Sequence, residues 1–319
     1  MTIAWVVGSG GLLGSALCRA LRRDGTELFT QDKRFHWADE HELAMQITAA
    51  VRSFAARGGP AGRWEIYWAA GVGTMGSSIA DLAPETRALT LLLRLLASEA
   101  PLMAAPGAVA FISSAGAIYA GSTDYLISEN TAPAPNTAYA LEKLREEELV
   151  RSFALGNSSV AALIARLSTV YGPGQAAGKQ QGLLAHVARC MISNRPVQIY
   201  VPLDTIRDYI ASDDAAAAIV TALRSIAGKP AVLTKIIASE RPTTIAEVVA
   251  LFTKIARRNP RIIASAGKLS AIYPRRMQFR SAAGAQGAWL PKTSLLVGLA
   301  QVMAAERAAF MRGRGTRAE

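Results

Sequence analysis

Cysteine and histidine are scarce in this chain of 319 residues, which has only two Cys and three His. Two thiols are too few for a disulfide framework, so the sequence predicts a protein of a reducing, cytoplasmic compartment. The histidines have no Cys or carboxylate at ligand spacing, and we expect no metal site. Long apolar runs are missing as well, because Gly, Arg or Ser interrupts each of them, and we expect no membrane span.

The apolar N-terminus "MTIAWVVGSGGLLGSALC" lacks the features of an export signal. It has no basic segment at its start, and Leu17 precedes Cys18 where a signal peptide has a small residue. We therefore expect this stretch to belong to the folded domain.

Acidic residues are few relative to basic ones: 24 Asp and Glu stand against 35 Lys and Arg, a formal net charge of +11. Such a surplus can indicate nucleic-acid binding. The basic residues are scattered, however, and no stripe of aromatic and basic residues accompanies them. We expect no nucleic-acid partner and interpret the surplus partly as solvated surface, partly as attraction for a phosphorylated small molecule.

With 51% hydrophobic and 18% charged residues, the composition is typical of an ordered globular protein. Apolar segments such as "IAWVV", "EIYWAAG", "GAVAFISSAG" and "VAALIARLSTVYG" alternate with helical patterns. Strands separated by helices form parallel sheets that are covered on both faces. The sequence therefore predicts an α/β fold, a Rossmann-type doubly wound parallel sheet.

The alternation ends after "YGPGQ", which predicts a second unit. We place the nucleotide-binding core at residues 1–170 and a smaller, C-terminal substrate-binding lobe at 171–319, with part of 207–240 returning to the core. Within the lobe we expect a Gly- and Gln-rich loop, a helix at about residues 182–193, and a hairpin in "VQIYVPLDTIRDYI".

A glycine-rich turn, "VVGSGGLLGS", places Gly8, Gly11 and Gly14 between a predicted strand and a predicted helix. In a doubly wound fold this turn lets the backbone approach a pyrophosphate, and the helix N-terminus faces the negative charge. The turn predicts a dinucleotide site, and a turn that serves only packing is the alternative. Further residues that we assign to the cofactor are Leu12, Leu13, Ala69, Ala70, Gly71 and Ser113.

The choice between NAD and NADP depends on three residues at the end of the second predicted strand. Asp32 follows Gly14 by 18 residues, where a carboxylate would accept hydrogen bonds from the adenosine ribose of NAD. Lys33 and Arg34 come next, and a cation there suits the 2′-phosphate of NADP. Ordinary loop charges are the third interpretation. We favour NAD and keep NADP possible.

The segment "AYALEK" places Tyr139 and Lys143 one helical turn apart, on one side of a predicted helix. A free phenol titrates near 10, so a Tyr that acts as acid and base at pH 7 needs a shift of about three units, or roughly 4 kcal/mol. A nearby ammonium can contribute to that shift. Ser113 and Ser114 end the strand "AVAFIS", at the sheet edge where ligands bind, and we prefer Ser114 as the third catalytic group. Two Ser that only cap a turn are the alternative.

Six motifs in order resemble those of the extended short-chain dehydrogenases/reductases, specifically the NAD-dependent epimerase/dehydratase group that acts on nucleotide sugars. They are "VVGSGGLLGS", "FISSAGAIYAG", "AYALEK", "ARLSTVYGPGQ", "IRDYIASDDAA" and "LPKTSLLVGL". The resemblance covers most of residues 3–300. It implies a bound NAD(P), a nucleotide-sugar substrate, a homodimer, and a catalytic set of Ser114, Tyr139 and Lys143, of which Tyr139 and Lys143 also contact the cofactor.

For the substrate, the resemblance places Arg207 where relatives hold the nucleotide diphosphate, and an ion pair with Asp208 or Asp213 is the alternative. Ser114 would also contact the substrate. Thr169 stands where many relatives have an Asn that contacts the nucleotide. Arg87 lies near the position of an Asn that often relays protons.

Three functions remain open at this stage. The first is epimerisation of a nucleotide sugar through a transient keto intermediate. The second is an NADPH-dependent ketosugar reductase, and the third is a non-catalytic dinucleotide-binding sensor or scaffold. Dehydration is disfavoured, because no acidic residue adjoins the Ser pair.

Overall fold

A six-stranded parallel sheet forms the centre of the computed structural model, which describes residues 1–175, 182–264, 274–283 and 291–315. Its strands in chain order are β1 (Ile3–Val7), β2 (Glu27–Phe29), β3 (Trp64–Trp68), β4 (Gly107–Ser114), β5 (Val160–Leu167) and β9 (Val232–Ile237). In space they run β2-β1-β3-β4-β5-β9. The strand order reverses between β1 and β3, and this switch point opens the crevice in which such sheets bind ligands.

Helices cover both faces of this sheet. In chain order they are α1 (Leu12–Arg23), α2 (Glu40–Ala61), α3 (Ile79–Ser98), α4 (Ala100–Met103), α5 (Ala115–Ile118), α6 (Ala138–Leu155), α7 (Leu183–Ile192), α8 (Ser212–Ile226), α9 (Ile245–Ala256) and α10 (Leu295–Gly315). Side chains of α2, α3 and α6 pack on one face, and those of α1 and α8 on the other. None of the described helices is long and apolar enough to cross a membrane.

Burial on two sides explains why the strands are apolar without alternation. In β1, Trp5 packs with Phe29 and Phe54 on the α2 face, whereas Ala4 and Val6 face α1. Each large side chain that is fully removed from water contributes about 1.5–3 kcal/mol. The buried strand side chains therefore stabilise the sheet, and the site lies at its carboxyl edge.

The smaller lobe contains two further sheets and a separate core. Strands β6 (Thr169–Tyr171), β8 (Ile206–Ala211) and β10 (Pro242–Thr244) form one sheet, and β7 (Val197–Ile199) pairs with β11 (Ile262–Ala264) in the other. Helices α7, α9 and α10 pack against them. Residues 176–181 of the expected Gly- and Gln-rich loop, and Leu290 of the last motif, lie outside the described residues.

Two expectations about this region are wrong. The segment "VQIYVPLDTIRDYI" is not a hairpin, because β7 pairs with β11 and β8 lies between β6 and β10. The segment "VAALIARLSTVYG" is two strands in two sheets, β5 and β6. Apolar patterns mark strands but carry no information on distant partners, which decided both pairings. Strand β9 adds to the central sheet beside β5, and the division into a core at 1–170 and a lobe at 171–319 stays a prediction.

Candidate active site

The glycine-rich turn fits tightly into the switch point. Gly8 has a φ of +88°, and a Cβ there would lie 2.6 Å from the backbone of Ala69 and Ala70. A Cβ on Gly14 would lie 2.1 Å from the carbonyl oxygen of Gly8, to which the N–H of Gly11 donates at 3.0 Å. The turn and the end of β3 are thus held at backbone contact, and α1 begins directly beside them.

Gly14 and Gly11 are expected to differ in their tolerance to substitution. Gly14→Ala is expected to destabilise the fold by about 1–3 kcal/mol, because its Cβ meets rigid backbone. Gly11→Ala is the matched control in the same turn, since a Cβ there would lie 3.4 Å from the nearest atom, in ordinary contact. Urea denaturation of both variants measures the difference, and equal stability would contradict the packing described.

Asp32, Lys33 and Arg34 are exposed and lie beyond the end of β2. We expected Asp32 to end the second strand, but β2 ends at Phe29, and Asp32 follows it by three residues. Arg34 reaches back to the glycine-rich turn, where its Nη2 lies 3.3 Å from the position of a Cβ on Gly10. A guanidinium is therefore placed directly over the turn. Leu12 begins α1, and Leu13 packs against the core beneath it.

The loop after β3 connects the glycine-rich turn to the predicted catalytic residues. Gly71 has a φ of +141°, and the next two residues donate their backbone N–H groups to the Glu85 carboxylate, Gly73 at 2.9 Å. A Cβ on Gly73 would lie 3.3 Å from the Tyr139 ring. Residues 69–73 thus bridge Gly8 and Tyr139.

Tyr139 and Lys143 lie in the first two turns of α6, which Thr137 caps by accepting a hydrogen bond from the N–H of Ala140 at 3.2 Å. The Nζ of Lys143 is 5.6 Å from the centroid of the Tyr139 ring and 5.3 Å from that of Phe111. The helix therefore brings the phenol and the ammonium together, as their spacing predicted.

The two neighbouring serines have different partners. The side chain of Ser114 acts to lower the pKa of the Tyr139 phenol, and its Oγ accepts a hydrogen bond from the N–H of Ala117 at 3.3 Å, which caps α5. Ser113 is buried and donates to Glu147 Oε1 at 2.6 Å. Of the two candidates, only Ser114 is thus placed against the phenol, while Ser113 belongs to a network behind the sheet edge.

That network is a buried ion pair between Glu147 and Arg166. Arg166 donates to the carboxylate through Nη2 at 2.7 Å and Nε at 3.0 Å, and through Nη1 to the hydroxyl of Tyr119 at 2.6 Å. The side chains of Arg166 and Glu147 are 8% and 4% exposed. The pair joins α6 to β5 and holds the end of β4 through Ser113.

The carboxylates of Glu85 and Glu146 and the ammonium of Lys143 shift the pKa of Tyr139 in opposite directions. Burial raises the pKa of the Tyr139 phenol, and Glu85 and Glu146 act in the same direction, outweighing the lowering effects of Lys143 and Ser114. Burial acts to lower the pKa of Lys143, yet Tyr139, Glu146 and Glu85 raise it above its ordinary value. In this structure the arrangement therefore favours a protonated phenol beside a charged ammonium.

Two of the residues assigned to the substrate, Thr169 and Arg207, lie in the β6–β8–β10 sheet. Thr169 pairs with Tyr209, two residues beyond Arg207. Asp208 accepts hydrogen bonds from Ser239 and from the backbone N–H of Arg241, and Asp213 pairs with Arg19 at 2.6 Å. Both carboxylates proposed as alternative partners of Arg207 are thus engaged by other groups.

Sequence reasoning missed several residues near this site. Glu146 follows Lys143 by three positions, a spacing that could have revealed it. Glu85, Thr86 and Glu142 approach from α3 and α6, and no local pattern marks their meeting.

In the lobe, Arg276 pairs with Ile206, the neighbour of Arg207, and stacks on Tyr125 with Cζ 3.3 Å from the ring centroid. Arg87, which lies near the family's proton-relay position by resemblance, donates to Glu40 at 2.6 Å.

The arrangement can bind a dinucleotide and transfer a proton. Gly8 and Gly14 let the turn pack at backbone contact at the N-terminus of α1, where a dinucleotide pyrophosphate binds in such sheets, and the phenol, hydroxyl and ammonium lie near the same sheet edge. Among the described residues, no group of three or more His, Cys, Asp or Glu could hold a metal ion.

Known proteins share parts of this sequence. A model of the NAD dependent epimerase/dehydratase family matches residues 4–234. The dTDP-L-rhamnose 4-epimerase of Burkholderia thailandensis is 31% identical over 97 residues, 30% of this chain and 26% of that protein. The dTDP-4-dehydro-6-deoxyglucose reductase of Escherichia coli is 32% identical over 108 residues, 33% of each chain. The chain thus matches only about a quarter to a third of the length of these curated relatives.

Solved structures share the whole fold. The UDP-glucose 4-epimerase of Thermus thermophilus, in complex with NAD, superposes with a TM-score of 0.79 at 20% identity, over 97% of this chain and 100% of that chain. RMD from Pseudomonas aeruginosa, complexed with NADPH, gives 0.75 at 19% identity, with the same coverage. These similarities confirm the predicted Rossmann-type fold.

A parallel sheet with a glycine-rich turn at its switch point defines the class of dinucleotide-binding α/β proteins. The family match spans well over half of the 319 residues. The chain belongs to the NAD-dependent epimerase/dehydratase family, as the sequence resemblance predicted.

Proposed function

We propose that this protein is an NAD(P)-dependent enzyme that epimerises a nucleotide sugar through a transient keto intermediate. The observation that carries the proposal is the meeting of Ser114, Tyr139 and Lys143 at the sheet edge, next to residues 69–73 and the glycine-rich turn. A dinucleotide-binding sensor would not require an acid–base group there.

Each residue has a defined task in this proposal. Gly8, Gly11 and Gly14 admit the pyrophosphate, and the N-terminus of α1 faces its charge. Lys143 binds the nicotinamide ribose, and Ser114 orients the reacting sugar hydroxyl. Bound NAD would accept a hydride from the sugar carbon and return it to the opposite face.

Tyr139 exchanges the hydroxyl proton with the sugar in this scheme. It removes that proton as the carbonyl forms and returns it as the carbonyl is reduced. The protein without cofactor holds the phenol protonated, because burial and two carboxylates raise its pKa. The ammonium of Lys143, with Nζ 5.6 Å from the ring centroid, opposes those carboxylates and favours the phenolate needed for the first step.

The nucleotide part of the substrate is assigned to the smaller lobe. Arg207 would bind the diphosphate, a task that suits a guanidinium. Thr169 lies in the adjacent strand of the same sheet. The T. thermophilus and Burkholderia proteins support a nucleotide sugar, because their names give UDP-glucose and dTDP-L-rhamnose as substrates. The lobe as the substrate unit, the homodimer and the cytoplasmic location are retained as predictions.

A second candidate is reduction of a keto sugar with NADPH. It is favoured by the position of Arg34 over the glycine-rich turn, where a 2′-phosphate would find a cation, and by the raised pKa of Tyr139, which suits a proton donor. The E. coli relative is named as a reductase, and the P. aeruginosa structure contains NADPH.

The decisive experiment is to denature the purified protein and identify any released dinucleotide by chromatography and mass. Nearly stoichiometric NAD would support the epimerase cycle, which does not consume its cofactor, and UDP- and dTDP-sugars would then be tested as substrates. A protein that is isolated empty and binds NADPH would favour the reductase. Failure to bind either dinucleotide would refute both enzymes.

Arg34 allows a separate prediction about the cofactor. Arg34→Gln is expected to weaken NADPH binding about tenfold, since a charge-assisted hydrogen bond contributes about 1.5–3 kcal/mol, and to leave NADH affinity nearly unchanged. Titration of both dinucleotides into the protein measures this, with Lys33→Gln as the control. Equal losses for NADH and NADPH would show that Arg34 does not read the 2′-phosphate.

A further inference from the structure

Lys143 is held by a carboxylate of its own helix. Its Nζ lies 2.7 Å from Glu146 Oε2, and the two side chains are 8% and 2% exposed. The i, i+3 spacing places both groups on one side of α6. Since the rings of Phe111 and Tyr139 also face the ammonium, Lys143 is confined from three directions.

Glu146 is in turn held by the neighbouring helix. The Thr86 hydroxyl of α3 lies 3.2 Å from Glu146 Oε1 and 2.5 Å from Glu142 Oε1. Thr86 and Glu146 are both buried, at 4% and 1% exposure. The single hydroxyl hydrogen of Thr86 is shared between these two carboxylates, with the shorter contact to Glu142, so α3 meets the carboxylate that contacts Lys143 at its other oxygen.

We propose that Glu146, anchored by Thr86, is the positioning residue that fixes the ammonium of Lys143 beside Tyr139. A long Lys side chain loses rotamer entropy when it is ordered. The ion pair makes that ordering part of the folded state, so a dinucleotide ribose meets an ammonium already in place. This inference rests on the proposed role of Lys143.

The competing interpretation is an ion pair that only joins two turns of α6. A buried ion pair is weak grounds for stability, because desolvation offsets much of its attraction. If the ion pair only joins two turns of α6, its removal would leave the affinity for dinucleotides unchanged. The two interpretations therefore differ in what they predict for the cofactor, and not only for the fold.

The test compares Glu146→Gln with wild type in the full-length protein. The matched control is Glu148→Gln on the same helix, whose side chain is 67% exposed. The ammonium protons of Lys143, assigned by their loss in Lys143→Met, are observed by nitrogen–proton NMR. NADH affinity is measured by fluorescence titration.

In Glu146→Gln we expect the ammonium signal to broaden beyond detection and the Kd for NADH to rise about tenfold, with Glu148→Gln like wild type. Thr86→Val removes the anchor while it keeps the side-chain shape. It is expected to weaken NADH binding less, and it serves if Glu146→Gln does not fold.

Unchanged NADH affinity in a folded Glu146→Gln variant would overturn the positioning role, whether or not the ammonium signal is lost. If Glu146→Gln does not fold, unchanged affinity in Thr86→Val overturns it instead. Wild type that binds no dinucleotide would refute the proposed function itself. The two failures are therefore distinguishable.

Discussion

Tyr139→Phe is expected to lower turnover of the substrate about a thousandfold while the protein keeps its dinucleotide. The substitution removes only the phenolic oxygen, and general acid–base catalysis by one side chain contributes about 10²–10⁴ in rate. The ring remains available for its contacts with Gly73 and with the ammonium of Lys143. The fold and the cofactor site should therefore persist.

The measurement is the initial rate with the nucleotide sugar found by screening, together with the dinucleotide content of each preparation. Tyr200→Phe is the matched control, because this Tyr is exposed and lies in the smaller lobe, where its hydroxyl bonds Gln198. Full activity in Tyr139→Phe, with the dinucleotide retained, would exclude the proposed acid–base role and place the reaction proton on another group.

Arg166→Met is expected to destabilise the protein by about 3–5 kcal/mol, the largest effect on stability that we predict. The substitution leaves the Glu147 carboxylate, which is 4% exposed, without its charged partner in a site closed to water. It also removes the donor to the Tyr119 hydroxyl. Since Glu147 orders Ser113 at the end of β4, the sheet edge should loosen as well.

Urea denaturation measures this effect, and Arg275→Met is the control. The ion pair of Arg275 with Asp204 is exposed on both sides, at 70% and 59%, so its loss should cost less than about 1 kcal/mol. A similar loss of stability in the two variants would mean that burial does not govern the Arg166 pair.

Much of the site follows from local pattern. The glycine-rich turn lies between strand and helix as predicted, and the steric limit at Gly14 is local, because a Cβ there would meet the backbone of Gly8. Tyr139 and Lys143 share a helix side because helical geometry alone places residues four apart together. Asp32 was misplaced by three residues, since strand ends depend on the partner strand.

The surroundings of the phenol did not follow from local pattern. Ser113 and Ser114 are adjacent in sequence, and opposite side-chain directions in a strand send one to Glu147 and the other to Tyr139. The packing of α6 on β4 decides which of the two serines lies near Glu147 and which lies near Tyr139. Burial of the phenol, the main cause of the raised pKa of Tyr139, is a property of that packing, and the carboxylate of Glu85 adds to it from a third element.

The sequence by itself determined the parallel sheet, the position of the glycine-rich turn and the Tyr139–Lys143 pair. The alternation of strand and helix patterns, the glycine spacing of the turn and the four-residue spacing in a helix are all local properties. The tertiary structure alone decided that β7 pairs with β11, that Arg34 covers the turn, and that Thr86 of α3 reaches Glu146 of α6. These contacts join residues distant in sequence or in separate elements. Their energy comes from packing and burial, which no stretch of sequence contains on its own.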